Sequence, residues 1–249
     1  MIRLQDVPCP TELTDELVAQ LTEEFKQTKK SVWKRKFIAE PLLAMSNGKC
    51  CFSECKLQEE GKYLEVEHFY PKSLYPDEVV KWENLLPISS ACNKAKRDHD
   101  TRTIPIINPR YDNPREHLYF QGYRFKPKTE KGRESIEVLN LNDRTLWVNK
   151  RYEIGDKAIE RLEEIRDKMV SYDQEVVKST HSRNTIIRQL RNLFVEGTPK
   201  AEYSCVVASY LLHDDDFQVI KDWMLKYNLW DAEFESLEEQ LQYCALEVK

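Results

Sequence analysis

Between Cys50 and Arg97 the chain sets out, in order, side chains from which a hydrolytic site could be assembled. These are Cys50, Cys51 and Cys55, then Glu67-His68, then Asn84, then Cys92-Asn93 followed by Lys94, Lys96 and Arg97. A neutral imidazole can take a proton from water near pH 7, so His68 is a candidate general base. Asn84 does not titrate, and its amide can orient the imidazole or brace the segment around it; it could equally be a turn or capping residue. Asn93 could likewise serve as a helix N-cap. A hard divalent cation prefers oxygen ligands and keeps several waters, so one carboxylate and one amide oxygen are a sufficient protein share. Lys94, Lys96 and Arg97 are of the type that neutralises phosphates. Together these meet the needs of phosphodiester cleavage: an activated water, a cation against charge on the non-bridging oxygens, and a group that holds the base.

The elements that must position these residues can be read from periodicity and punctuation. Leu17, Val18, Leu21 and Phe25 recur at helical spacing behind a Thr14 cap, and further helical turns end at Asn47-Gly48. Tyr63 to Phe69 reads as a short strand and ESIEVLNL as another, while Asn113-Pro114 predicts the start of a short helix. From about Tyr152 onward, Ile159, Leu162, Ile165 and Met169, then Ile186, Ile187, Leu190, Leu193 and Phe194, mark helices broken near Gly197-Thr198-Pro199. The fold class is therefore α+β. Adjacent residues of a regular strand face opposite ways, so Glu67 and His68 reach one cation only if the strand is irregular, for which Pro71 is the expected cause. On a regular strand Glu65 and Glu67 would share a face instead.

The 249 residues suffice for one large domain or two small ones. No apolar run approaches the ~20 residues of a membrane span, and the first residues lack a secretory signal, so a cytoplasmic protein without a membrane partner is expected. Seven cysteines, an odd number, suit reduced thiols or metal ligands better than a disulfide framework. The net charge of −5 hides a bipolar pattern: residues 93 to 133 carry eleven Lys or Arg against five acids, and residues 214 to 249 three against ten. Such a chain can hold a polyanion at one place while its acidic end meets a basic partner. INPRYDNPREHLYFQGYRFKPK interleaves aromatics with Arg and Lys, a pattern suited to bases and phosphates, or to packing of Tyr119, Phe120, Tyr123 and Phe125 on the core.

A histidine, an asparagine and a third His or Asn at these separations, framed by cysteines, resemble the HNH nucleases over residues 49 to 98. The resemblance implies a ββα-metal core, a hairpin followed by a helix, embedded in a mainly helical protein. It implies His68 as general base, Glu67 and Asn93 on Mg2+ or Mn2+, Asn84 orienting, and Lys94, Lys96 and Arg97 on the substrate. Many HNH relatives brace this core with zinc held by two Cys-x-x-Cys pairs. Here the first pair is Cys51-x3-Cys55 or Cys50-x4-Cys55, and Ser89 stands where the second pair would begin. Cys50, Cys51, Cys55 and Cys92, with His99 as a further candidate, remain possible ligands of a structural Zn2+, hydrophobic contacts being the alternative.

EVEHFYPKSLYPDEVVKWENLL, INPRYDNPREHLYF and ESIEVLNLNDRTLWVNKR are similar to one subgroup over residues 45 to 151. It comprises the HNH subunits of Septu-type anti-phage systems, often called PtuB, including those encoded beside retrons. That similarity implies an effector acting with a PtuA-like ATPase of the ABC/SMC type. In retron-linked versions a reverse transcriptase with its RNA-DNA hybrid would hold the nuclease in check. The organisation expected is an N-terminal helical segment over 1–48, the nuclease core and a family-specific extension over 49–151, and a C-terminal helical region over 152–249. DNA is the usual HNH substrate and a structured RNA such as tRNA the alternative. The rival class is a non-catalytic, zinc-knuckle-like adaptor that binds nucleic acid or the ATPase, which has no use for His68, Asn84 and Asn93 together.

Overall fold

The computed structural model describes residues 1–58, 63–174 and 179–249. Helix α1, Asp15–Thr28, starts as its sequence predicts: the Thr14 hydroxyl accepts from the Leu17 amide at 3.3 Å, with Asp15 and Glu16 in the first turn. Leu21 and Phe25, one turn apart, are buried against Val32, Trp33, Val79 and Val80, with Leu17, Val18 and Val66 at the edge of the same cluster. Helix α2, Lys36–Met45, buries Ile38, Leu42 and Met45. It is followed by Asn47 and Gly48 at φ of 54° and 72°, the left-handed turn that this dipeptide favours.

Strands β1, Leu64–His68, and β2, Leu85–Ser89, pair antiparallel with Glu65 opposite Ile88, Glu67 opposite Leu86 and His68 opposite Leu85. Every residue of β2 is buried, since both α2 and the next helix lie against it. That helix, α3, spans Ser90–Lys96, and its cap is the Ser89 hydroxyl, which accepts from the Cys92 amide at 3.4 Å. Asn93 is therefore inside the helix and caps nothing.

A second hairpin joins β3, Leu118–Gln121, to β4, Arg124–Pro127, through Gly122 and Tyr123 at φ of 53° and 60°. Two consecutive positive φ angles match the right-handed twist of the flanking strands. The strand expected at ESIEVLNL does not form. Helix α4, Glu130–Val138, takes its place, capped by Thr129, which accepts from the Gly132 amide at 3.1 Å. Its Glu-Ser-Ile-Glu-Val stretch alternates like a strand because Ser135 is polar yet wholly buried; the Ser135 hydroxyl accepts from the Ile107 amide at 2.7 Å and donates to the Lys131 carbonyl at 2.6 Å. Gly132 is required where it stands, because a Cβ there would lie 2.2 Å from the His117 carbonyl oxygen. Asn113-Pro114 opens a single 3-10 turn, Pro114–Glu116.

The remaining helices are α5, Asn149–Asp173, α6, Thr180–Val195, α7, Ser204–His213, α8, Asp215–Lys226, and α9, Ala232–Cys244. Helix α5 contacts α6, α7 and α8, and α7 contacts α9. The predicted stripe of Leu162, Ile165 and Met169 is buried, as are Leu190, Leu193 and Phe194. The molecule is α+β and mostly helical, with two small sheets. Among the described residues, no helix is long and apolar enough to cross a membrane.

The chain divides into two compact units, residues 1–118 with 126–142, and residues 119–125 with 143–249. The division differs from the three parts expected. Residues 1–48 do not stand apart, because the apolar face of α1 closes on Val66, Val79 and Val80. The later boundary falls at Asp143, whose carboxylate accepts from the Leu146 amide at 2.7 Å, rather than at 151. The aromatics of residues 119–125 belong to the second unit. Within that unit Phe120 stacks on Phe125 at 4.7 Å and Tyr123 on Tyr210 at 4.2 Å.

Candidate active site

His68 ends β1 and is buried. Its Nε2 lies 2.8 Å from the Val79 carbonyl oxygen. A carbonyl can only accept, so Nε2 carries the proton and the neutral ring keeps its lone pair on Nδ1. The Trp33 ring meets the imidazole edge to face, 4.5 Å between centroids. Burial, then the charge of Lys72, lower the His68 pKa to about 3 against the opposing pull of the Val79 carbonyl. The ring is neutral at pH 7, the state in which Nδ1 can accept a proton.

Asn84 does not touch the imidazole; it braces the connection that holds it. Its Oδ1 accepts from the Tyr70 amide at 2.7 Å, and its Nδ2 donates to the carbonyls of Tyr70 and Glu78 at 3.1 and 3.0 Å. These bonds tie both ends of residues 70–78 to the start of β2, and Val79 follows directly. The part expected of Asn84, orienting His68, falls to the Val79 carbonyl.

β1 stays regular despite Pro71, and its faces separate as strand geometry requires. Val66 and His68 turn to the α1 side, against the cluster containing Trp33. Glu65 and Glu67 turn to α3. The Glu65 carboxylate accepts from Asn93 Nδ2 at 2.5 Å, and among the described residues Asn93 Oδ1 has no hydrogen bond. Glu67 is 3% exposed, and its Oε1 lies 2.5 Å from the Lys96 ammonium but outside hydrogen-bonding direction, so charge holds the pair. Burial pushes the Glu67 carboxyl up, with Lys96 opposing.

Lys96 was expected on substrate phosphates, and the structure corrects this. It is 2% exposed, and its ammonium also donates to the His68 carbonyl at 3.1 Å, so α3 turns it inward as the counter-ion of Glu67. Lys94 is exposed on α3. Arg97 closes α3 at a φ of 53° and borders a cleft of about 590 Å³, together with Glu67, His68, Asn93, Lys29 and Lys72. The cleft thus brings together Glu67, His68, Asn93 and Arg97 of the predicted set. Sequence reasoning missed Lys29 and Lys72, and also Glu65 as the partner that orients Asn93. The run from Lys26 to Lys36, six Lys or Arg without an acid, was the available signal for the first of these.

Cys50, Cys51, Cys55 and Cys92 are all buried. Cys50 N–H donates to the Cys55 carbonyl at 2.9 Å and Cys51 N–H to the Pro87 carbonyl at 2.9 Å, folding this turn against β2. All four are free thiols, with Cys51, Cys55 and Cys92 close around Cys50. Burial pushes the Cys50 thiol up, but hydrogen bonds from Cys51, Cys55, Cys92 and Ser53 outweigh it and favour a thiolate there. Bonding to Cys50 raises Cys55 and Cys92, with burial adding to it, and burial raises Cys51 first. Among the described residues, no group of three or more His, Cys, Asp or Glu is arranged to hold a metal ion. His99 is turned elsewhere, its Nε2 on the Ile104 carbonyl at 2.8 Å, and Ser89 is occupied as a cap. The Glu67–Asn93 pair is a different donor set, one buried carboxylate already paired with Lys96 and one amide oxygen without a hydrogen bond among the described residues, of the type that suits a hard cation that keeps its waters.

No family model matches the chain. It is 40% identical over 237 residues, 95% of this chain and 92% of the relative, to Septu protein PtuB of Bacillus thuringiensis. A second Septu protein PtuB, from Bacillus mycoides (strain KBAB4), is 31% identical over 138 residues, 42% of this chain and 46% of that relative.

Proposed function

The chain belongs to the Septu protein PtuB family, and from that premise we propose that it is an HNH-type, metal-dependent nuclease, the effector of a Septu anti-phage system. The observation that carries this reading is the state of His68: Nε2 is tied to a main-chain carbonyl, which leaves Nδ1 as a neutral base beside a cleft bordered by Glu67 and Asn93. In the reaction, a water in the cleft gives its proton to His68 Nδ1 as its oxygen attacks phosphorus, and the bond to the leaving oxygen breaks. Val79 and Trp33 hold the ring during the transfer, and Asn84 holds Val79. Glu67 and Asn93 Oδ1 are the residues that would hold Mg2+ or Mn2+, with Glu65 presenting Asn93 by its other atom. When bound, the ion supplies positive charge against the non-bridging oxygens and the leaving group. An adaptor would have no use for a desolvated imidazole of fixed tautomer.

The family places the chain in a Septu system, and the partner we propose there is an ABC/SMC-like ATPase of the PtuA kind. In retron-linked versions a reverse transcriptase with its RNA-DNA hybrid is proposed to restrain it. The test is incubation of the chain, with and without the ATPase and Mg2+, with plasmid DNA and with total tRNA, alongside His68→Ala. Metal-dependent cutting that the variant loses is the expected result, and the arm that is cut identifies the substrate. Equal cutting by the variant, or no cutting by the complete assembly under inducing conditions, overturns the reading.

A further inference from the structure

The cleft carries cations that the steps above do not use. Lys29, Lys72 and Arg97 line it, and among the described residues none of the three forms an ion pair. Lys29 also begins the exposed connection between α1 and α2, where Lys30, Lys34 and Arg35 stand without a carboxylate partner among the described residues. Within the acid-free run from Lys26 to Lys36, only the end residues form ion pairs among the described residues, Lys26 with Asp77 and Lys36 with Glu40. In a chain of net charge −5, so many unpaired cations beside one cleft need a reason.

Two of them, Lys29 and Lys72, stand over aromatic rings. The Lys29 ammonium stands 5.3 Å from the Phe25 ring centroid and the Lys72 ammonium 5.3 Å from that of Trp33. Phe25 and Trp33 meet edge to face at 5.8 Å, and Trp33 meets His68 at 4.5 Å. One line of rings therefore carries two lysines along the cleft and ends on the imidazole. A cation over a ring at an exposed site gains too little to matter for folding and enough to bias where a lysine points. The rings are 5% and 8% exposed, so they cannot stack on bases. Lys29 and Arg97 moreover occupy left-handed positions at the ends of α1 and α3, φ of 56° and 53°, where helices usually place Gly or Asn. The backbone disfavours a long side chain there.

We propose that the residue 29–36 connection, with Lys72 and Arg97, is a rim that grips the sugar-phosphate backbone of a nucleic acid and lays one phosphate in the His68 cleft. Because the rim offers charges and no base-reading or base-stacking groups, it binds without sequence preference. What is delivered rests on the nuclease reading; the grip itself does not.

The test uses the full chain carrying His68→Ala, with chelator present, and anisotropy of labelled random-sequence single strands, duplex DNA and tRNA across a salt series. Lys29→Gln with Lys72→Gln is expected to weaken binding at least ten-fold, and two lost phosphate contacts to flatten the log–log salt slope by about 1.4 for single strands and 1.8 for duplex. Arg at both positions should restore affinity, and replacing Lys34, Arg35 and Lys36 by Gln should weaken every ligand alike. Both lysines are exposed, so an unchanged melting temperature shows that the fold is intact. Parental affinity and slope in the Gln variant overturn the rim, as does a weakened Gln variant that Arg does not restore. If the Gln variant binds fully while His68→Ala abolishes cutting, the rim falls and the nuclease reading stands. If binding is lost in the Gln variant but the wild-type assembly cuts nothing, the rim stands and the nuclease reading falls.

Discussion

The two units have interiors of opposite kind. The first buries Lys49, Glu54, Glu67, Lys96 and Arg110, with His68 and Asn84 among them. In the second, Arg151 is the single charged side chain buried among the described residues, and Leu162, Leu190, Phe194, Phe234 and Leu241 fill the middle. Apolar side chains can exchange neighbours at modest cost, whereas a buried charge is tolerable only where its partner is. An interior of paired charges therefore fixes atoms at points, and an interior of Leu and Phe fixes only volume. The hairpin and α3 are built the first way, and there the Val79 carbonyl fixes the His68 tautomer.

This contrast can be broken by substitution. The largest expected effect is on rate: His68→Ala should lower phosphodiester cleavage about 10²–10⁴-fold, as loss of a general base does, read by plasmid nicking or tRNA cutting. Lys96→Met should remove about 3–5 kcal/mol of stability in urea titrations, since it leaves Glu67 buried without its counter-ion. Adding Glu67→Gln should recover part of that loss, and a Lys96→Met protein of wild-type stability would show that the pairing is ornamental. Leu190→Ala in the second unit should cost about 2–5 kcal/mol by leaving a cavity, with cleavage per folded molecule unchanged. Asn84→Ala should cost about 1–3 kcal/mol by stranding the Tyr70 and Glu78 main-chain groups. Cleavage should fall with it, and Asn84→Asp should be no better, because a carboxylate cannot donate to the two carbonyls. Smallest is Thr14→Ala, about 1 kcal/mol from the lost cap of α1, read as a lower melting temperature.

The same contrast explains what the sequence made legible. Helices α1, α5 and α6 announce themselves because an apolar stripe at helical spacing has one stable placement. β1 and the residue types of the cleft were legible because Glu67, His68, Asn84 and Asn93 occur in order at close quarters. Directions were not legible. Lys94, Lys96 and Arg97 look alike in a string, yet the pitch of α3 sends Lys96 inward to Glu67 and its left-handed end places Arg97 at the cleft. Val79 as the group that orients His68 was not legible because a main-chain carbonyl has no signature in the sequence. Ser135 misled for a related reason: burial of a hydroxyl that satisfies two main-chain groups reads as a solvent-facing position.

The bond from His68 to Val79 also limits the traffic of hydrogen through the site. In a charge-transfer chain the far nitrogen of an imidazole passes its proton to an acidic neighbour; here that neighbour is an amide oxygen, which cannot keep one. A proton that His68 takes on Nδ1 therefore has to depart from Nδ1. On the proposed nuclease reading, the imidazole would discharge toward solvent or product, because the Val79 carbonyl offers it no other exit.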